Sequence, residues 1–214
     1  MQRHWHRYPP PGDEARRPAR AVCPARPGWA RTPLAARAAR VSATEGGGVG
    51  AEIGTWEGDF SAQLLNRLKP QRLYLIDPWE HRAEATYQHA FFGDRTPGAQ
   101  AKMDAIHEGV CRRFSGQIAS GQVVVMRARS GDAAARVDPL DWVYIDGDHT
   151  YEAVKTDLER FYEKLKPGGV VAGDDYGMVG WWEDGVTRAV DEFVASRGIT
   201  PTLLGNQFLF TRPS

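Results

Sequence analysis

The chain has 214 residues, no formal net charge and 42% hydrophobic residues. A domain of this length buries about 70% of the surface that its unfolded form exposes. Residues 1–45 contain nine arginines and three acids, so the remainder of the chain is mildly acidic. That remainder lacks the basic face that nucleic-acid binding requires, which argues against a nucleic-acid partner. No stretch approaches the roughly 20 apolar residues of a transmembrane helix, which argues against a membrane partner.

Residues 1–45 are rich in Pro, Arg, Ala and Gly, and prolines from position 9 to position 33 forbid a long helix there. This composition predicts a disordered leader before a domain at 46–214. A coding start placed too far upstream and an organelle-type targeting peptide remain alternatives, and "LAARAAR" (34–40) could form a short helix. Cys23 and Cys111 are the only cysteines, so a reducing, cytoplasmic location fits best.

From Val49 onward, apolar strands alternate with amphipathic helices, a pattern that predicts an α/β domain with a parallel sheet. Strands are predicted at 49–53, 72–77, 122–128, 141–146 and 170–174, with two closing strands at 201–205 and 206–212. Helices are predicted at 59–68, 99–118, 151–165 and 185–198. A polar and aromatic insertion at 78–97 separates the second strand from the second helix.

The first strand leads into a glycine-containing loop with the pattern E-x-G-x-x-x-G, formed by Glu52, Gly54 and Gly58. Glycine lets a ligand approach the backbone and leaves the N–H groups at the start of the next helix available. The spacing differs from the G-x-G-x-x-G fingerprint of dinucleotide-binding domains. The loop is therefore a candidate cofactor site, with a plain turn as the alternative.

Two further strand ends carry polar residues suited to a nucleoside. Asp77 ends the second strand, where an acid can accept hydrogen bonds from both hydroxyls of a ribose. Ser130 and Asp132 follow the third strand and are candidates for an adenine edge. Each of these residues could instead cap the helix that follows.

The stretch "WVYIDGDHTYEAV" (142–154) passes from a buried strand directly into Asp146, Asp148 and His149. The fifth strand likewise ends in Asp174 and Asp175. Ligands of open α/β sheets bind beyond the carboxyl ends of the strands, and hard carboxylates suit magnesium or manganese. Helix capping explains one acid at each strand end, but not two adjacent acids at both ends.

The segments "AEIGTWEGDFS", "LYLIDPW", "VYIDGDHTYEAVKTDLERFYEKLKPGGVVAGDDY" and "GVTRAVDEF" resemble the class I S-adenosylmethionine-dependent methyltransferases. Among these, the chain is most similar to metal-dependent small-molecule O-methyltransferases of the macrocin type. The resemblance implies a Rossmann-like, seven-stranded, mostly parallel sheet with an antiparallel last strand and helices on both faces. It also implies S-adenosylmethionine as cofactor and a divalent ion, with Mg²⁺ favoured.

Position by position, the resemblance assigns Glu52, Gly54 and Gly58 to the cofactor loop and Asp77 to the ribose. It assigns the metal to Asp146, Asp174 and Asp175. His149 lies three residues after Asp146, where catechol-type relatives carry a lysine base, and histidine suits proton transfer at neutral pH. A helix cap or a partner that orients Asp146 is the alternative role for His149.

The resemblance implies methyl transfer to a hydroxyl of a small molecule, of sugar, catechol or natural-product type. Aromatic residues of the insertion and of the segment after the fifth strand could form a lid over this acceptor, or could simply pack the surface: Tyr87, His89, Phe91, Phe92, Trp181 and Trp182. A metal-independent methyltransferase and a non-catalytic adenosine-binding module are the rival functions. Assembly into a homo-oligomer is left open.

Overall fold

The computed structural model describes residues 47–93 and 98–214. The predicted leader at 1–45 and the short helix predicted at 34–40 lie outside the described residues, as do the last four residues of the insertion. In the part of the chain that is described, no helix is both long and apolar enough to cross a lipid bilayer.

Strands and helices alternate along the described chain up to two closing strands. The strands are β1 (Val49–Ile53), β2 (Arg72–Asp77), β3 (Val123–Arg127), β4 (Leu140–Ile145), β5 (Leu165–Gly173), β6 (Thr202–Leu204) and β7 (Gln207–Thr211). The helices are α1 (Asp59–Leu68), α2 (Ala99–Arg113), α3 (Ser115–Ala119), α4 (Ser130–Ala133), α5 (Tyr151–Tyr162) and α6 (Gly185–Ser196).

The described strands form one seven-stranded sheet in the order β3-β2-β1-β4-β5-β7-β6. Strands β1 to β5 pair in parallel, and β7 runs antiparallel to both of its neighbours. The predicted Rossmann-like sheet with an antiparallel last strand is thereby confirmed. The chain order reverses between β1 and β4, so a crevice for ligands is expected beyond the carboxyl ends of these two strands.

Apolar side chains cover both faces of the sheet, because successive strand residues point to opposite sides. On one face, the core includes Val143 of β4, Phe161 of α5 and Phe193 of α6, all at most 4% exposed. On the other face, the ring of Phe60 in α1 lies 4.4 Å from the ring of Tyr144. The sheet is therefore a rigid base for the loops at its carboxyl edge.

Three predicted elements differ from the observed ones by three residues or more, and one of them is the helix predicted at 151–165, which ends at Tyr162. The helix predicted at 99–118 is broken at Phe114, which has φ −103° and ψ 19° and is 3% exposed. The poor helix formers Ser115 and Gly116 follow it, so burial of the ring can decide the local geometry. Strand β5 begins at Leu165 rather than at 170, because the Pro-Gly-Gly segment enters the sheet with a shift of register near Leu140.

Candidate functional site

The glycine loop after β1 lies directly against the end of β4. The Asp146 amide donates to the Ile53 carbonyl at 2.9 Å, and the Gly54 amide donates to the Ile76 carbonyl at 2.9 Å. A Cβ atom at Gly54 would stand 2.0 Å from the Asp146 carbonyl oxygen, and φ is +88° there. Gly54 is thus required by the close approach of β4, which brings the loop beside Asp146.

Asp77 fixes this loop to the end of β2. Its two carboxylate oxygens accept the backbone N–H groups of Trp56 at 2.9 Å and of Trp79 at 2.7 Å. Burial raises the pKa of Asp77, and these two hydrogen bonds offset part of the rise. Each carboxylate oxygen can accept a further hydrogen bond, so the expected contact with a ribose stays a prediction.

Glu52 and Gly58, which are also predicted in the cofactor loop, lie around its base. Glu52 is 1% exposed and accepts a hydrogen bond from the Ser61 hydroxyl of α1. Burial raises the pKa of Glu52 well above its ordinary value. Gly58 precedes α1 with φ +77°, and a Cβ atom there would lie 2.7 Å from the Phe114 ring. Glu52 therefore connects the start of the loop to α1, and Gly58 allows the end of the loop to pass close to the Phe114 ring.

The loop after β3 carries Ser130 and Asp132 and is held by α5. Ser130 hydrogen-bonds the carboxyl group of Asp157, which is 2% exposed. Burial raises the pKa of Asp157 to about 7, although the Ser130 hydrogen bond opposes the rise. Arg160 donates to the Gly131 carbonyl at 3.0 Å. The contact of Ser130 and Asp132 with adenine stays a prediction.

A cleft of about 420 Å³ lies beyond the ends of β2 and β3. Its lining comes from the residues just after Asp77, the residues just before Ser130 and one residue of α2. These lining residues are Pro78, Trp79, Glu80, Gln100, Arg127, Ala128 and Arg129. Arg129 pairs with Glu80 at 2.8 Å, and Arg127 pairs with Asp104. None of the predicted cofactor residues lines this cleft, and its two arginines already have carboxylate partners.

Asp146, His149 and Asp175 meet beyond the ends of β4 and β5. One donor atom from each lies within 4.8 Å of the other two, and these residues form the candidate metal cluster of the described chain. The Asp146 Oδ1 atom lies 3.2 Å from His149 Nε2, and the Asp175 Oδ2 atom lies 3.4 Å from His149 Nδ1. The three side chains are 17%, 14% and 5% exposed, so bulk water reaches them poorly.

His149 has a carboxylate oxygen beside each ring nitrogen. Burial lowers the pKa of His149, but the hydrogen bond to Asp146 and the charges of Asp146, Asp175 and Asp148 outweigh it, so the pKa is raised. A neutral imidazole would point a lone pair at one of the two carboxylates, which is repulsive. The role of His149 as general base stays a prediction, because catalytic hydrogen bonds often reach their final geometry only when the substrate is bound.

The two adjacent acids after β5 face different partners. Asp174 Oδ1 accepts from Asn206 Nδ2 at 2.6 Å and from the Asp175 amide at 3.0 Å. Asp175 is in the left-handed region with φ +60°, and its Oδ2 atom faces His149. Asn206, in the turn between β6 and β7, had no signal in the sequence that connected it to this site.

Asp148 connects the cluster to an aromatic lid. Its Oδ1 atom accepts the amide of Thr150, the residue just before α5, at 3.0 Å, and its Oδ2 atom accepts the Tyr87 hydroxyl at 2.8 Å. The Tyr87 ring lies 5.4 Å from the rings of both Phe92 and Trp181. Tyr87, Phe92, Trp181 and Trp182 form this lid, whereas His89 and Phe91 of the insertion are exposed.

Four buried polar atoms of the described residues have no hydrogen-bond partner, and none lies at the amino edge of the sheet. They are Thr55 Oγ1, Asp157 Oδ1, Asp175 Oδ2 and Trp182 Nε1. Three of them follow β1 or β5, and the fourth lies behind the loop after β3. Such atoms are rare in folded proteins and each needs an explanation. Three of the four follow strand ends at the carboxyl edge, where a bound water or ligand would supply a partner.

Comparison with protein families identifies the kind of domain that contains these residues. The family model described as "Methyltransferase domain" matches residues 51–176, which extend from β1 to just beyond Asp175. A curated relative, uncharacterized protein R132 of Acanthamoeba polyphaga mimivirus, is 38% identical over 56 residues. This alignment covers 26% of the chain and 25% of the length of the relative.

Solved structures share the fold at low identity. The O-methyltransferase NovP is 23% identical with a TM-score of 0.55, covering 77% of this chain and 71% of its own. An rRNA methylase from Streptococcus thermophilus is 13% identical with a TM-score of 0.57, and the alignment covers 86% of this chain and 98% of the methylase. A precorrin-6y C5,15-methyltransferase from Geobacter metallireducens GS-15 is 15% identical with a TM-score of 0.56, and the alignment covers 85% of this chain and 88% of that enzyme.

Proposed function

The chain belongs to the family of methyltransferase domains, and from this premise we propose that it methylates a hydroxyl group of a small molecule. S-adenosylmethionine is the donor that the family implies, and a divalent ion assists the transfer. The observation that carries the proposal is the cluster of Asp146, His149 and Asp175, which lies beside the glycine loop and next to an aromatic lid.

The donor is expected across the crevice from β1 to β3. Asp77 offers its remaining acceptor sites to the ribose hydroxyls, and Ser130 and Asp132 border the adenine end. The loop from Gly54 to Gly58 then places the sulfonium end of the donor near Asp146, because Gly54 contacts the backbone of that residue.

The residues of the cluster fit a divalent ion. The Asp175 Oδ2 atom is buried and faces the His149 ring at 3.4 Å, and a divalent ion would compensate the two buried carboxylates that share this one imidazole. When bound, a divalent ion lowers the pKa of an acceptor hydroxyl and orients it. Asp146 and Asp175 supply the negative charge that would hold the ion there.

The lid favours an acceptor with a ring, of the sugar, catechol or polyketide class. Tyr87, Phe92, Trp181 and Trp182 present flat apolar surfaces and exclude water from the cluster. Arg82 near the lid pairs with Glu84, as the arginines of the cleft pair with acids. Paired cations offer little to RNA phosphates, which supports a small acceptor although rRNA methylases share the fold.

In the proposed step, an acceptor oxygen attacks the methyl carbon and the carbon–sulfur bond of the donor breaks. The sulfonium becomes the neutral thioether of S-adenosylhomocysteine, and the hydroxyl proton of the acceptor passes to the imidazole of His149, the predicted general base. The residues of the chain contribute by holding both reactants in line, which supplies a large part of the rate enhancement in such displacements. NovP, which shares the fold and is named an O-methyltransferase, is in keeping with this chemistry.

The test is labelled-methyl transfer to matched acceptors with and without a hydroxyl group. Purified protein is incubated with labelled S-adenosylmethionine and pairs such as catechol and aniline, hydroxylated and deoxygenated sugars, and an oligoribonucleotide. We expect label only in hydroxylated small molecules, and its loss in Asp146→Asn. Label in the oligoribonucleotide or in amines alone would contradict the proposal, and donor binding without any transfer would favour the adenosine-binding rival.

A further inference from the structure

Three hydrogen bonds among Trp56, Asp77 and Trp79 tie the glycine loop to the end of β2. The Trp56 amide donates to Asp77 Oδ2 at 2.9 Å, and the Trp79 amide donates to Asp77 Oδ1 at 2.7 Å. The indole Nε1–H of Trp79 donates to the Trp56 carbonyl at 2.9 Å. Both backbone polar groups of Trp56 are therefore bound by residues at the end of β2.

These bonds hold the backbone in a conformation that is unfavourable for residues with a side chain. Trp56 has φ +50° and Trp79 has φ +41°, both in the left-handed region that residues other than glycine rarely adopt. Such conformations persist only where surrounding contacts enforce them, and they are concentrated at ligand-binding and catalytic sites. Without its partners, Trp56 would relax toward ordinary backbone angles and the loop would change its shape.

Trp79 is itself held by contacts with α2 and β3. Its side chain is 1% exposed, and its ring lies 4.8 Å from the ring of His107. Its carbonyl accepts hydrogen bonds from Gln100 Nε2 at 3.1 Å and from the Arg127 guanidinium at 3.2 Å. The indole N–H is therefore presented to the glycine loop by a well-fixed residue.

We propose that Trp79 is a positioning residue for the methyl donor, because its indole N–H keeps the glycine loop in the conformation that binds S-adenosylmethionine. The role differs from that predicted for Asp77, since Trp79 acts through Trp56 and does not need to touch the donor. The inference rests on the donor part of the proposed function and is independent of the identity of the acceptor.

The test compares two tryptophans that make the same kind of bond. Trp142 is also buried, at 2% exposed, and its indole N–H donates at 3.0 Å to the carbonyl of Gly47, which precedes β1. Trp79→Phe and Trp142→Phe each remove one indole hydrogen bond and the same volume, one beside the predicted donor site and one at the opposite end of β1. Circular dichroism and urea unfolding verify that both variants are folded and measure the stability that each loses.

Calorimetry with S-adenosylmethionine separates a positioning role from a merely structural one. We expect Trp79→Phe to weaken donor binding by about 2- to 10-fold, the range that one neutral hydrogen bond covers, because only part of the population then has a loop that can bind. Trp142→Phe should bind the donor as the wild type does. Unchanged donor affinity in Trp79→Phe, or an equal loss in both variants, would overturn the inference.

Hydrogen exchange of the indole N–H groups tests the same coupling in the wild type, where the stability of a variant does not matter. Coupling between two sites is reciprocal, so a bond that favours donor binding opens less often once the donor is bound. In protein labelled with ¹⁵N-tryptophan, we expect S-adenosylmethionine to slow exchange at Trp79 by a larger factor than at Trp142. Equal factors at the two indoles would contradict the inference.

These measurements do not depend on methyl transfer. The expected response at Trp79 without transfer to hydroxyls would leave the positioning role intact and refute the proposed function, whereas transfer to hydroxyls with no difference between the two tryptophans would do the reverse. Absence of donor binding in the wild type would overturn both.

Discussion

Replacement of Asp157 by asparagine should stabilise the protein in a pH-dependent way. Asp157 lies in α5, is 2% exposed, and has one oxygen without a partner among the described residues. Burial raises its pKa from 3.8 to about 7. At about 1.36 kcal/mol per pKa unit, this corresponds to a preference of the folded state for the neutral acid of about 4 kcal/mol.

The direction of this pH dependence follows from the linkage between proton binding and folding. Between pH 4 and pH 7 the folded state binds more protons at Asp157 than the unfolded state does, so this residue lowers the free energy of unfolding as the pH rises. Asparagine is neutral at every pH and keeps an acceptor for Ser130. The variant should therefore match the wild type near pH 4 and exceed it by up to about 4 kcal/mol at pH 8.

Urea unfolding between pH 4 and pH 8, followed by circular dichroism, measures this difference. Asp132→Asn, at an exposed acid after β3, is the matched control and should not reproduce the trend. A constant difference between Asp157→Asn and wild type at all pH values would refute the reasoning. Such a result would mean that Asp157 enters the folded state without a cost for its charge.

Three further predictions concern the donor, the lid and the leader. Asp77→Ala should weaken S-adenosylmethionine binding by about 10- to 100-fold, since hydrogen bonds to charged groups contribute about 1.5–3 kcal/mol; an unchanged dissociation constant in calorimetry would place the ribose elsewhere. Tyr87→Phe keeps the ring stacking but loses the bond to Asp148, so the acceptor KM should rise while donor affinity stays constant, and a change in donor affinity alone would contradict the lid. Deletion of residues 1–40 should preserve donor binding, and loss of soluble protein would show that they are structural.

The sheet could be predicted because its signals are local. Apolar runs such as "RLYLID" end at polar residues, and Pro70 ends the helix before β2. The break at Phe114 and the early start of β5 were not predictable, because tertiary packing outweighs local propensity at both places. A ring buried beside Gly58 and a Pro-Gly-Gly segment within a strand depend on neighbours far along the chain.

The candidate site was predictable in place but not in detail. The rule that ligands lie at the carboxyl edge, near the reversal of strand order, directed attention to Asp77, Asp146 and Asp175. The sequence could not show which of two adjacent acids faces the cluster, because the backbone of Asp175 and the partner Asn206 decide it. The buried Asp157 also gave no signal, since an acid in an amphipathic helix is usually exposed.

The most direct test of metal-assisted methyl transfer is a chelation and reconstitution measurement. Once a hydroxyl acceptor has been identified, turnover is measured in EDTA and again after a divalent ion is added in excess. We expect turnover to vanish in the chelator, to return with the ion in the wild type, and not to return in Asp146→Asn, while S-adenosylmethionine binding persists throughout. Full turnover in EDTA would contradict the account and favour the metal-independent methyltransferase.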